Sequence, residues 1–111
     1  MAIGYAKMLF LSGKTDEALK QISAAESYLR ESNLINTEVY ADCIYSLGLY
    51  RFWLNDTSDG DEFVRAFRIY IDLYGKDSYF VQKRLNELRD YIENFHSSII
   101  QNDRLLQLLE E

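Results

Sequence analysis

The sequence has no proline, one cysteine and one histidine in 111 residues. Proline fixes φ and lacks an N–H, so without it long helices run unbroken and a loop-rich or all-β chain loses its usual punctuation. A lone thiol, Cys43, excludes an internal disulfide and any CxxC metal site, and it fits a reducing compartment, so a cytoplasmic location is expected. Basic clusters are missing as well. Lys and Arg number 12 against 18 Asp and Glu, a net charge of -6. Direct nucleic-acid binding and attraction to an anionic membrane both need the opposite sign. No apolar run approaches the ~18 residues of a membrane span. The opening "MAIGYAKMLFLSG" lacks the charged n-region and small-residue cleavage site of a secretory signal. There is no GxSxG, P-loop, GxGxxG or HExxH, so no enzyme activity, metal or cofactor is expected.

What is present is apolar and aromatic. Hydrophobic residues make up 48% and aromatics 14%, too rich for a disordered chain. The length suits one domain that buries about 65% of its unfolded surface. Apolar residues recur at helical spacing in five segments and nowhere at period 2, which predicts an all-α fold.

The first segment, about Ala2 to Leu11, is almost wholly apolar and has no N-cap before it; it reads as a helix entered part-way, as in a piece of a longer protein. The second runs from about Thr15, a candidate N-cap, to Glu31, with Asp16 and Glu17 favourably placed at the positive end of the helix dipole. Its inner stripe is Ala18, Ile22, Ala25 and Leu29. The third starts after Asn36 or Thr37 and carries Tyr40, Cys43, Ile44, Leu47 and Leu54. The fourth begins near Asp59, three residues before Glu62 in a capping-box arrangement, and its face is Phe63, Ala66, Phe67, Tyr70, Leu73 and Tyr74. Gly75 is a natural stop.

From about Ser78 the fifth segment continues without glycine to the end. Val81, Leu85, Leu88, Ile92, Phe95, Ile99, Asn102, Leu106 and Leu109 repeat at 4-3 spacing, a heptad pattern with a polar interruption at Asn102. Two readings follow. Leu85, Leu88, Ile92, Phe95, Ile99, Asn102, Leu106 and Leu109 form a self-association seam that pairs two copies as a homodimer. Otherwise the helix breaks near 97–102 and caps its own domain.

Two sites invite chemistry. In "NDTSDGDE", Asn55 and Asp59 fall on calcium-ligand positions of an EF-hand loop, but the position that needs a bidentate glutamate is Ala66. An acidic, solvated helix start is the better reading. Cys43 and His96 have no local motif that would make them a nucleophile and base, and Cys43 reads as a small core residue.

The first two helices resemble a tetratricopeptide repeat. Ala6, Gly13, Ala18, Ile22 and Ala25 hold the small, turn and apolar places at the family's spacing. Ala2 stands where the family has tryptophan and Arg30 where it has proline, and both depart from the pattern. A second, degenerate copy follows, with Gly48 as the small residue and Ala66, Tyr70 and Leu73 after it. Gly48 to Ala66 spans 18 residues against 12 from Ala6 to Ala18. The resemblance covers about 2–75. It implies a single domain of stacked antiparallel hairpins (1–32 and 36–75) in a short right-handed solenoid, to which the heptad pattern adds a long C-terminal helix over 78–111.

The resemblance also implies a concave face lined by the first helix of each repeat. Lys7, Phe10 and Leu11, then Tyr45, Leu49, Phe52 and Trp53, would bind a protein or peptide segment there. Such repeats also form the sensor halves of bacterial peptide-binding regulators. The same aromatics can equally be core. The family's clamp for acidic C-termini is not implied, because only Lys7 and Arg51 offer positive charge on this face.

Overall fold

Among the described residues of the computed structural model, 2–53 and 61–95, the chain forms α1 (Ala2–Leu11), α2 (Thr15–Glu31), α3 (Glu38–Trp53), α4 (Asp61–Tyr74) and α5 (Tyr79–Phe95). No strand occurs among them, so the all-α expectation holds. Helix α1 packs on α2 and α3 on α4. Contacts of α2 with α3, α1 with α3 and α4 with α5 join the hairpins.

The helix ends follow from local chemistry. Gly13 adopts φ +83, a left-handed conformation that needs no Cβ. The Gly13 N–H then donates to the Phe10 carbonyl at 3.1 Å and the Lys14 N–H to the Leu9 carbonyl at 2.8 Å, a Schellman closure of α1. Asn33 (φ 62) ends α2 in the same way, its N–H reaching Arg30 and that of Leu34 reaching Leu29. Thr37 caps α3, its Oγ1 accepting from the Tyr40 N–H at 3.2 Å, and Ser78 caps α5, its Oγ accepting from the Val81 N–H at 3.3 Å. Thr15 is not the cap of α2. Lys14 holds that place without a side-chain hydrogen bond, because the turn has already folded into the end of α1, and Thr15 is buried as the first helical residue.

One core runs through all five helices. Ala6, Leu9, Ala18 and Ile22 supply it from the first hairpin, Cys43, Ile44, Phe63 and Phe67 from the second, and Val81, Leu85 and Leu88 from α5. The expected stripes of α2 and α3 are largely buried. On α4 the expected face ends early: Leu73 and Tyr74 are each 45% exposed, although the Tyr74 hydroxyl still donates to Glu38 at the start of α3 at 2.7 Å. Of the expected seam, Leu85 and Leu88 are both fully buried against their own chain. The side chains of Ile92 and Phe95, and all of Ile99, Asn102, Leu106 and Leu109, lie outside the described residues, as do Leu54 and Asp59.

The tightest approach is at Gly48. A Cβ there would stand 3.0 Å from Glu62 Cβ and 3.3 Å from the Phe63 ring. Glu62 Cβ is fixed to the α4 backbone and cannot swing away. By contrast, a Cβ at Gly4 on α1 would meet nothing within 4 Å. Ala in place of Gly gains about 0.5–1 kcal/mol of helix propensity at either site. The difference between the two variants therefore reads the contact. Gly48→Ala should be about 1–3 kcal/mol less stable than Gly4→Ala in urea unfolding, the range for overpacking. Equal midpoints would show that α3 and α4 are not in close apposition.

Candidate functional site

Helices α1, α3 and α5 border a groove of about 410 Å³. Helix α1 contributes Lys7, Phe10 and Leu11; α3 contributes Asp42, Tyr45, Ser46, Leu49 and Tyr50; α5 contributes Arg84 and Glu87. Phe10 stacks on Tyr50 with ring centroids 4.6 Å apart, an aromatic floor at the α1–α3 junction. Leu11 beside it is 73% exposed, an unusual position for a leucine next to an aromatic surface.

At the other side, Arg84 is held by aromatic faces. Its guanidinium carbon lies 5.3 Å from the Tyr45 ring centroid, 5.6 Å from that of Phe80 and 5.9 Å from that of Tyr70. Asp42 approaches it at 3.5 Å and Glu87 at 4.0 Å. The Tyr70 hydroxyl donates a short hydrogen bond to the same Asp42 oxygen. Burial, then that hydrogen bond, pushes the Tyr70 phenol far up from its ordinary value. Burial pushes Tyr45 up to about 12 against the lowering effect of Arg84. Tyr45 is only 9% exposed, and its hydroxyl has no hydrogen-bond partner among the described residues.

Of the seven residues that the resemblance places on a concave face, Lys7, Phe10, Leu11, Tyr45 and Leu49 line this one groove. The side chains of Phe52 and Trp53 lie outside the described residues. The choice between groove and core dissolves for Tyr45, whose ring packs edge-on against Phe63 at 5.3 Å while the residue also borders the groove. Arg51 is elsewhere. It pairs with the nearly buried Glu62 at 2.8 Å in a second, polar hollow between α2, α3 and α4. There the Tyr40 hydroxyl donates to Glu26 at 2.8 Å, and an Arg65 N–H donates to Tyr40 Oη at 3.4 Å.

Sequence reasoning missed Asp42, Ser46, Tyr50, Arg84 and Glu87. A signal existed for the α5 pair. Arg84 and Glu87 each precede a buried heptad leucine, Leu85 and Leu88, by one residue, which turns both toward the edge of the buried stripe. The resemblance stopped at 75 and so gave no reason to place α5 beside α3.

No cluster of three or more His, Cys, Asp or Glu able to hold a metal occurs among the described residues, and no helix among them is long and apolar enough to cross a membrane. Cys43 is fully buried, its thiol donates to the Ile22 carbonyl at 3.4 Å, and burial pushes it up to about 12. A nucleophile needs the thiolate and access, and Cys43 has neither. A disulfide reagent such as Ellman's should therefore label Cys43 slowly in the folded chain at pH 8 and promptly in denaturant. Prompt labelling of the folded chain would contradict this burial. In comparison with known proteins, no family model matches the chain, and no curated protein or solved structure matches it significantly.

Proposed function

We propose that the chain is a non-catalytic binding module: a short tetratricopeptide-like, right-handed helical repeat that holds a peptide or protein segment in the groove of α1, α3 and α5. The observation that carries this reading is the convergence of side chains from three separate helices on one concavity. An aromatic floor (Phe10, Tyr50) and open apolar edges (Leu11, Leu49) stand beside a few polar groups, the usual make-up of a ligand site. Burial shifts both phenols of the groove, Tyr45 and Tyr50, toward the neutral form, which supports a non-catalytic reading. With a buried free thiol and an acidic surface, the module suits the cytoplasm, as the sensor or regulatory part of a larger bacterial protein.

The test is selection of binding peptides from a random display library on the immobilised full chain, followed by titration of selected peptides against Leu49→Arg. Leu49 is half-buried at the rim and belongs to no ion pair. The variant should weaken every groove-bound peptide at least about tenfold, by steric block and charge, while its thermal midpoint stays within a few degrees of the parent. Undiminished binding by Leu49→Arg would place the binding surface elsewhere.

A further inference from the structure

We infer that the groove selects an extended peptide segment in which an acidic side chain stands beside a large apolar one; this rests on the reading of the groove as a peptide site. The reason is an imbalance of hydrogen-bond donors. Tyr45 is nine-tenths buried on the groove wall, and its hydroxyl has no partner among the described residues. A buried hydroxyl without a partner is costly, so a ligand acceptor there is favourable. Lys7 on α1 has an ammonium with no ion pair among the described residues. Arg84 on α5 carries five N–H donors, and its ion pairs are loose: Asp42 at 3.5 Å and Glu87 at 4.0 Å, against 2.8 Å for Arg51 with Glu62.

On the acceptor side, Asp42 is committed to the Tyr70 hydroxyl as well as to Arg84. The side chain of Glu87 is 50% exposed, so its charge is screened by water. The buried Tyr45 hydroxyl, the loosely paired Arg84 and the exposed Lys7 therefore border one groove, and an incoming carboxylate satisfies what the chain's own carboxylates do not. The apolar partner is read from the other half of the groove, where Leu11 and Leu49 flank the Phe10–Tyr50 stack. Tyr45 sits on α3, between the α1 and α5 walls, so a segment crossing the groove continues on both sides of it. The carboxylate at Tyr45 then belongs to a side chain within the segment rather than to a chain end.

Two display libraries of random dodecapeptides separate the sources, one without and one with a free C-terminus, each selected on the full chain. Peptides from the first should pair Asp or Glu with Leu, Ile, Phe or Tyr. Tyr45→Phe, which keeps the ring packed in the core, and Lys7→Gln, at an exposed side chain, should each weaken a selected peptide roughly tenfold, the scale of a hydrogen bond to a charged group. Selected peptides without acidic residues, or with affinity unchanged in both variants, overturn the inference while leaving the groove reading to the Leu49→Arg result. Enrichment confined to the free-C-terminus library overturns it by assigning the carboxylate to a chain end. A dimer of the chain alone that Tyr45→Phe or Lys7→Gln dissociates overturns it by making a second copy the occupant. No enrichment in either library overturns both readings.

Discussion

The docking of α5 through Arg84 is the interaction on which the shape of the groove depends. Its guanidinium sits among rings from three helices, Tyr45 on α3, Tyr70 on α4 and Phe80 on α5, and Asp42 of α3 completes the set. The magnitudes assign the roles. Val81, Leu85 and Leu88 are fully buried, and each contributes about 1.5–3 kcal/mol by leaving water. The Arg84–Asp42 pair is about one-third exposed on each side and is worth at most about 1 kcal/mol, with a further ~0.5–1 kcal/mol from a cation–π contact. Burial therefore holds α5 on the domain. The polar set chooses its register, because a slide along the helix would separate Arg84 from Asp42 and leave the Tyr70–Asp42 hydrogen bond without its cation.

The same division of labour shapes the rest of the molecule. Small residues decide how close the helices come: Gly48 admits α4 to contact with α3, and the fully buried Ala6, Ala18 and Ala66 leave room within each hairpin. Aromatics then fill the remaining space: within the second hairpin Tyr45 meets Phe63 and Phe67 edge-on, and between the hairpins Phe10 stacks on Tyr50. Close pairs joined by bulkier contacts leave α1 and α3 neighbours on one side of the molecule, and α5 extends that side. The groove is the concavity left along this row, and its mixed lining of rings, free donors and half-solvated carboxylates follows from lying between a core stripe and a solvent-facing one.

Much of this was legible in the residues. Helix periodicity located all five elements, and the small-residue spacing from Ala6 to Ala25 pointed to the hairpin and, through the resemblance, to Lys7, Phe10, Leu11, Tyr45 and Leu49 on one face. What stayed hidden depends on distances between segments. Thr15 has an N-cap's identity and position, but the Schellman turn at Gly13 and Lys14 displaced it. Leu85 and Leu88 have the spacing of a dimer seam, yet heptad spacing does not say whether the stripe they meet belongs to a second copy or to the core of their own chain. Arg84 carries no local motif at all; beyond Phe80, one turn before it, its role arises from Asp42, Tyr45 and Tyr70 at chain separations that no periodicity links.

Amide hydrogen exchange on the full chain and on Arg84→Ala is the most direct measurement of the central claim, that the Arg84 set fixes the register of a helix held by apolar burial and so shapes the groove. The account predicts exchange about 5–30-fold faster across the α5 amides from Val81 to Leu88, the equivalent of the ~1–2 kcal/mol lost with the Arg84 contacts, with the cores of α1 and α2 nearly unchanged. Unaltered protection along α5 would contradict it, and would show that apolar burial alone fixes the helix and that the Arg84 contacts are incidental to the groove.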